Sequence, residues 1–210
     1  MSLTYKDLIS DTHKEQALTL INNESESISY YISNNLSENF IDRYYSSSQG
    51  WHQIENAIQI GNIGHSSEEY NFIRSVFNKL DQLLDIDFTE FPNNNGSKLD
   101  IYSINLSSTF TTNIIGQAIY QESQYGAWFD ILWKDTDDKE SLNNVDKNTI
   151  VHEIGHSLGL SHPNNDPYNP MWDNEDTVMS YNEGITGSGV WFSKTDLDAL
   201  VNIWGRENDD

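Results

Sequence analysis

Cysteine is absent from this 210-residue sequence. A disulfide framework, a thiolate metal site and a cysteine nucleophile are therefore excluded. The compartment is not fixed by this, because many secreted bacterial proteins also lack cysteine. Basic residues are scarce, with 11 Lys and Arg against 33 Asp and Glu and a formal net charge of −22. Such a chain repels phosphate backbones and anionic lipid, so neither nucleic acid nor membrane is an expected partner. Cations, calcium among them, are attracted, although the plain reading of the charge is a solvated acidic surface. Hydrophobic residues make up only 36 % of the chain, which predicts a loop-rich protein with turns at Ser33–Asn39 and Pro92–Ser97. No run is apolar enough to span a membrane. Met1–Leu20 carries charges throughout and shows no apolar core of a secretory signal peptide. No repeat recurs at solenoid periods. The length fits one domain, 1–210, with lobes of about 1–162 and 163–205.

Against these absences stand several patterned segments. Asp11–Ile21 is weakly helical, and Ser27–Ile32, rich in Tyr and Ile, reads as a strand. Ser66 with Glu69 three residues on is a capping box. Ile73, Val76, Phe77, Leu80 and Leu84 then recur at helical spacing. Ile86–Phe91, stopped by Pro92, and Leu99–Ile104 are strand candidates, followed by Gly116–Tyr120 and Ala127–Trp133. Ser193 and Asp196 cap a final helix bearing Leu197, Leu200, Val201 and Trp204. The order predicts an α+β protein, a twisted mixed sheet with helices packed on it, and an irregular last third ending in a helix.

The densest signal lies at residues 152–162, HEIGHSLGLSH, which hold three of the chain's six histidines. His152 and His156 are four apart, so on a helix both imidazoles reach one cation. Gly159 permits a positive φ that ends the helix and turns the chain, so His162 can supply a third nitrogen. Three neutral imidazoles leave a fourth position open for water, the pattern of a catalytic zinc site. Glu153, rotated by about a quarter turn, is placed to act as general base rather than ligand. Ile150, Val151, Ile154 and Leu158 predict that the helix is buried on its other faces. His13, His52 and His65 have no such context and read as surface residues.

The sequence HExxHxxGxxH, followed by Asp176-Thr177-Val178-Met179-Ser180-Tyr181, resembles the signature of the metzincin metallopeptidases. Pro163 after the third histidine and Tyr181 two residues beyond Met179 are similar to the serralysin family of secreted bacterial proteases. The resemblance covers roughly Ser27–Gly205. It is strong over Thr149–Pro163 and Thr177–Tyr181, and loose over Asn22–Gly50. It implies a zincin fold with an antiparallel edge strand and a secreted zinc endopeptidase acting on protein or peptide substrates. Met179 then lies in a turn beneath the metal. Tyr181 is implied both as a zinc ligand of the resting enzyme and as a donor to the oxyanion. Gly126–Phe129 takes the place of the substrate-binding edge strand, and Trp191 is expected near the specificity pocket. Serralysins usually continue into glycine- and aspartate-rich calcium-binding repeats, and none stands in these residues.

Two acidic clusters, Asp135 with Asp137 and Asp138, and Asp173 with Glu175 and Asp176, read as solvated loops. Calcium binding is the alternative there, although the EF-hand pattern is missing. A monomer is expected. Two competing functions are a non-catalytic zinc-bearing binding or toxin-like module and a structural domain with incidental motifs. Glu153 and Tyr181 weigh against the first, because a domain that needs only zinc requires neither.

Overall fold

The computed structural model describes residues 2–21, 26–111, 113–136, 141–185, 187 and 189–208. A 3-10 turn at Tyr5–Leu8 leads into α1, Asp11–Leu18, whose cap Ser10 accepts from the N–H of His13. Then follow β1 (Ser27–Ile32), β2 (Phe40–Ser47), β3 (Gly50–Asn62) and α2 (Ser67–Asp81). The next run is β4 (Asp87–Glu90), β5 (Leu99–Ser107), β6 (Gly116–Ser123) and β7 (Gly126–Lys134). Helix α3 (Asn144–Ser157), a 3-10 turn at Pro163–Asn165 and α4 (Lys194–Trp204) complete the order. The predicted capping boxes are present: Ser66 and Glu69 on α2, Ser193 and Asp196 on α4. No helix among the described residues is long and apolar enough to cross a membrane.

The seven strands form one mixed sheet. β4, β1, β5 and β7 run parallel, in that spatial order, and β6 pairs antiparallel with β7. β3 lies antiparallel beside the far end of β5, and β2 pairs with β3 as a hairpin. Two expectations change here. Gly126–Phe129 belongs to β7, which is hydrogen-bonded on both sides, so the antiparallel edge strand is β6. The β2–β3 hairpin was not anticipated at all.

The sheet is covered on both faces. One face carries Ile101, Phe129, Ile131 and Trp133 against Phe77 and Leu80 of α2 and Ile150, Val151 and Ile154 of α3. The other carries Tyr102, Ile104, Ile119 and Leu132 under Ile41, Ile58 and Ile60 of the hairpin. Leu99 through Ile104 are consequently all buried, although the sequence there alternates apolar and polar. A central strand has no solvent face for its polar members. Each fully buried Ile, Leu or Phe contributes roughly 1.5–3 kcal/mol of transfer free energy.

Candidate metal centre

Helix α3 starts where Asn143 Oδ1 accepts from the N–H groups of Val145 (2.8 Å) and Asp146 (3.1 Å). The carboxylate of Asp146 answers by accepting from the N–H of Asn143 (3.2 Å). The helix ends in a double turn: Gly159 N–H donates to His156 O (3.0 Å) and Leu160 N–H to Gly155 O (2.9 Å). That is the Schellman pattern, with Gly159 at φ 102° as the left-handed residue. The chain reverses, and its return is fixed to the N-terminal segment. Ile9 bridges Leu160, and Ser161 N–H donates to Leu8 O (2.8 Å).

This reversal brings the three histidines together. One nitrogen from each of His152, His156 and His162 lies within 4.8 Å of the others. His152 Nδ1 sits 2.8 Å from Val178 O, and His156 Nδ1 sits 2.9 Å from Leu160 O. A carbonyl only accepts, so both Nδ1 atoms carry the hydrogen and both Nε2 atoms present lone pairs. His152 Nε2 is buried and has no hydrogen-bond partner. His156 Nε2 and His162 Nε2 are 3.2 Å apart, close to the roughly 3.3 Å that two nitrogens span on a tetrahedral zinc at about 2.05 Å. Burial lowers the imidazole pKa values, to about 4 for His152 and about 3 for His162, with His156 well below its ordinary value. The neutral form, which ligates, is thereby favoured. An orphaned buried lone pair, matched spacing and neutral donors together fit a zinc site.

Met179 is fully buried, and a Cβ on Gly155 would come within 3.0 Å of its Sδ. The turn Thr177–Tyr181 is held from below by Asp196, itself fully buried at the cap of α4. Asp196 accepts from Thr177 Oγ1, from Val178 N–H (3.0 Å) and from Ser193 N–H (2.7 Å). Val178 thus links the two, donating its N–H to the Asp196 carboxylate and accepting from His152 at its C=O. Sequence reading saw in Asp196 only a helix cap.

Glu153 and Tyr181 complete the arrangement. Glu153 is buried, and burial raises its pKa to about 8, against a smaller opposing hydrogen bond from the Ala118 backbone. The edge strand passes directly over it, for a Cβ on Gly116 would lie 2.4 Å from Glu153 Oε1. Tyr181 is half exposed, with its ring centroid 4.9 Å from that of His162 and 5.4 Å from that of His152. Burial raises its pKa to about 12, with Glu153 and Tyr168 adding to the shift. His152, Glu153, Tyr181, Thr149, Asn148 and Glu183 line part of a cleft of about 500 Å³.

The expectations for Trp191, His13, His65 and Asp135 change, while His52 and the loop at 173–176 stay at the surface. Trp191 is not in this cleft lining; it packs on the main core, with Lys79 over its ring at 4.8 Å. His13 is not a free surface residue, because its ring stacks on His156 at 5.4 Å. His65 accepts from Trp133 Nε1 (3.1 Å) and donates to Ser33 O (2.8 Å), and His52 stacks on Tyr45. Asp135 is buried rather than solvated, while Asp137 and Asp138 lie outside the described residues. Asp173 spends one carboxylate oxygen on the N–H groups of Glu175 and Asp176, which makes it a turn former.

Comparison with known proteins agrees with the geometry. The matrixin peptidase profile matches residues 23–181. The chain belongs to the matrixin peptidase family. Its catalytic fold is that of a metzincin, and a matrixin fold accounts for the parallel sheet, the antiparallel β6 and the helix bearing two of the three histidines. Within the metzincins the chain is similar to serralysins. It is 41 % identical over 95 residues to Serralysin G of Dickeya chrysanthemi, covering 38 % of this chain and 20 % of that protein. It is 30 % identical over 109 residues to Serralysin of Photorhabdus luminescens, covering 42 % and 22 %. The chain thus spans about a fifth of the length of these curated relatives.

Proposed function

We propose that the protein is a zinc-dependent, serralysin-like endopeptidase that hydrolyses peptide bonds in protein substrates outside the cell. The observation that carries this is the buried, unpartnered Nε2 of His152 converging with His156 and His162 beside a buried carboxylate. We assign His152, His156 and His162 as ligands and Tyr181 as a further ligand of the resting site. Zinc, when bound, polarises a carbonyl and acidifies water. The other steps belong to side chains of this chain. Glu153 accepts a proton from the attacking water and passes it to the leaving amine. Tyr181 donates its phenolic hydrogen to the oxyanion that develops on the former carbonyl oxygen. β6, as the exposed sheet edge, pairs with an extended substrate, and Gly116 keeps the space in which the Glu153 carboxylate works. Met179 shapes the floor and does no chemistry. The two lobes of the one domain meet at the third histidine.

The test is elemental analysis for zinc with casein cleavage measured in the presence and absence of a chelator. Wild type should hold about one zinc and cleave, and Glu153→Ala should hold zinc and cleave far more slowly. A zinc-loaded wild type that cleaves no faster than Glu153→Ala sinks the enzyme reading.

A further inference from the structure

The face of the sheet turned away from the histidines holds a second cavity of about 730 Å³, between the β2–β3 hairpin and the ends of β5, β6 and β7. Its placement follows from strand alternation. Ile101, Phe129 and Ile131 point toward α3, so their neighbours Asp100 and Asp130 point the other way. These two aspartates are in register on adjacent parallel strands, and each is 4 % exposed. Two carboxylates this deep need compensation, because an unpaired buried charge is costly. No Lys or Arg lines the cavity. Ser97 donates to Asp100, and Gln121 Nε2 donates to Asp130 Oδ2 (2.9 Å) and to Asp42 O (2.7 Å). Gln121 is 98 % buried, yet its Oε1, on the same amide as that donor, has no partner. Gln121 stands behind Asp130 and outside the cavity lining, and Trp128 and Arg43 also act on Asp130; the two buried acids that do line the cavity still call for positive charge or further hydrogen-bond donors.

The walls narrow the class of ligand. Trp128 and Tyr44 line the cavity and meet edge to face, with centroids 5.4 Å apart. Tyr125, at the rim, is 87 % exposed. Among the described residues, only the histidine triad brings three His, Asp or Glu donors within 4.8 Å of one another. The acids of this cavity are therefore spread more widely than a cage for one bare ion. The volume also exceeds what one ion fills and suits a small organic group. An aromatic wall over a carboxylate floor is the arrangement that binds an organic cation, through ring quadrupole and charge together.

We propose that this cavity is a second binding site that takes a guanidinium side chain of a peptide, with Asp100 and Asp130 as counter-charges and Trp128 with Tyr44 as walls. The site is independent of the peptidase reading, since the sheet separates it from the histidines. It gives an acidic protein a defined place to hold a basic segment of a partner polypeptide.

The experiment is calorimetric titration of the full chain with N-acetyl-arginine methylamide in about 0.15 M salt, a concentration that screens diffuse surface attraction. The control is the neutral isostere N-acetyl-citrulline methylamide. Arginine should bind saturably and citrulline at least tenfold more weakly. Asp130→Asn and Trp128→Leu should each weaken arginine binding at least tenfold, with zinc content unchanged. Equal binding of arginine and citrulline, or arginine binding unaffected by Trp128→Leu, overturns the proposal. If Asp130→Asn does not fold, Trp128→Leu decides alone. Calcium that binds wild type but not Asp130→Asn, without competing with arginine, identifies a metal site instead and also overturns it.

Discussion

The two faces of the sheet solve the same problem differently. Each buries a group of ionisable side chains beside a cleft. On the α3 face three of the groups are imidazoles, and burial drives them to the neutral state that a metal uses. On the hairpin face they are carboxyls, and burial raises their pKa values, with no Lys or Arg among the residues that line the cavity. The first group is assembled within eleven residues by one helix and one reversal. The second joins positions thirty residues apart through strand register alone. Local assembly leaves a mark in the sequence that sheet pairing does not.

Four measurements press on this contrast. The largest effect should come from Glu153→Gln, which is expected to cut peptide cleavage by about 10²–10⁴-fold, the usual range for a lost general base. Zinc content and arginine binding at the opposite face should stay at wild-type levels; coupled loss of all three would mean that the faces are not independent. Next, Asp196→Asn weakens the support behind Val178 and His152. Zinc affinity, read by competition with a chromogenic chelator, should fall by about 10–100-fold, as for other outer partners of metal ligands. Unaltered affinity would show that the Val178 link carries nothing.

The third concerns pH. Asp130 has its folded pKa raised to about 7, chiefly by burial, with Asp42 adding to the rise and Gln121, Trp128 and Arg43 opposing it. Asp100, next to it, is raised well above its ordinary value by burial and by Asp130, and Tyr102 is raised with them. Between about pH 4 and pH 7 Asp130 therefore holds a proton in the folded state that it lacks in the unfolded state. Its contribution to stability should fall as pH rises through that window, whereas the buried histidines, with pKa values lowered to about 4 for His152 and about 3 for His162, contribute in the opposite sense. From pH 5 to pH 8 the urea midpoint should therefore rise further, or fall less, in Asp130→Asn than in wild type; an identical shift would remove this aspartate from the account. The smallest effect expected is for Gly159→Ala, about 1 kcal/mol of unfolding free energy, since alanine is strained at a φ of 102°. Thermal denaturation of the metal-free protein tests it, and a stabilised variant would contradict the helix-end assignment.

Legibility followed the range of the interactions involved. Capped helices were readable because Ser66 with Glu69 and Ser193 with Asp196 sit three residues apart. The histidine cluster was readable because one helix and one glycine turn bring its three members together. The β2–β3 hairpin was not readable. Gly50–Asn62 keeps most of its residues exposed or half exposed, so it lacks the apolar alternation that marks a strand. The edge strand was assigned to the wrong member of a hairpin. β6 and β7 both look like strands, and hydrogen-bond partners across a sheet leave no trace in either. His13 has no motif near it. Its stacking on His156 depends on the N-terminal segment docking against the loop after α3.

Leu160 occupies an unusual position in that loop. Its N–H closes the helix end onto Gly155, and its C=O receives the Nδ1 hydrogen of His156. Helix termination and ring tautomer are therefore a single conformational event. In the proposed zinc site the imidazole is thus aimed by peptide geometry ahead of the ion, so little ordering cost should fall on metal capture. The rate of ion uptake is then expected to follow the shedding of its hydration shell rather than rearrangement of the polypeptide.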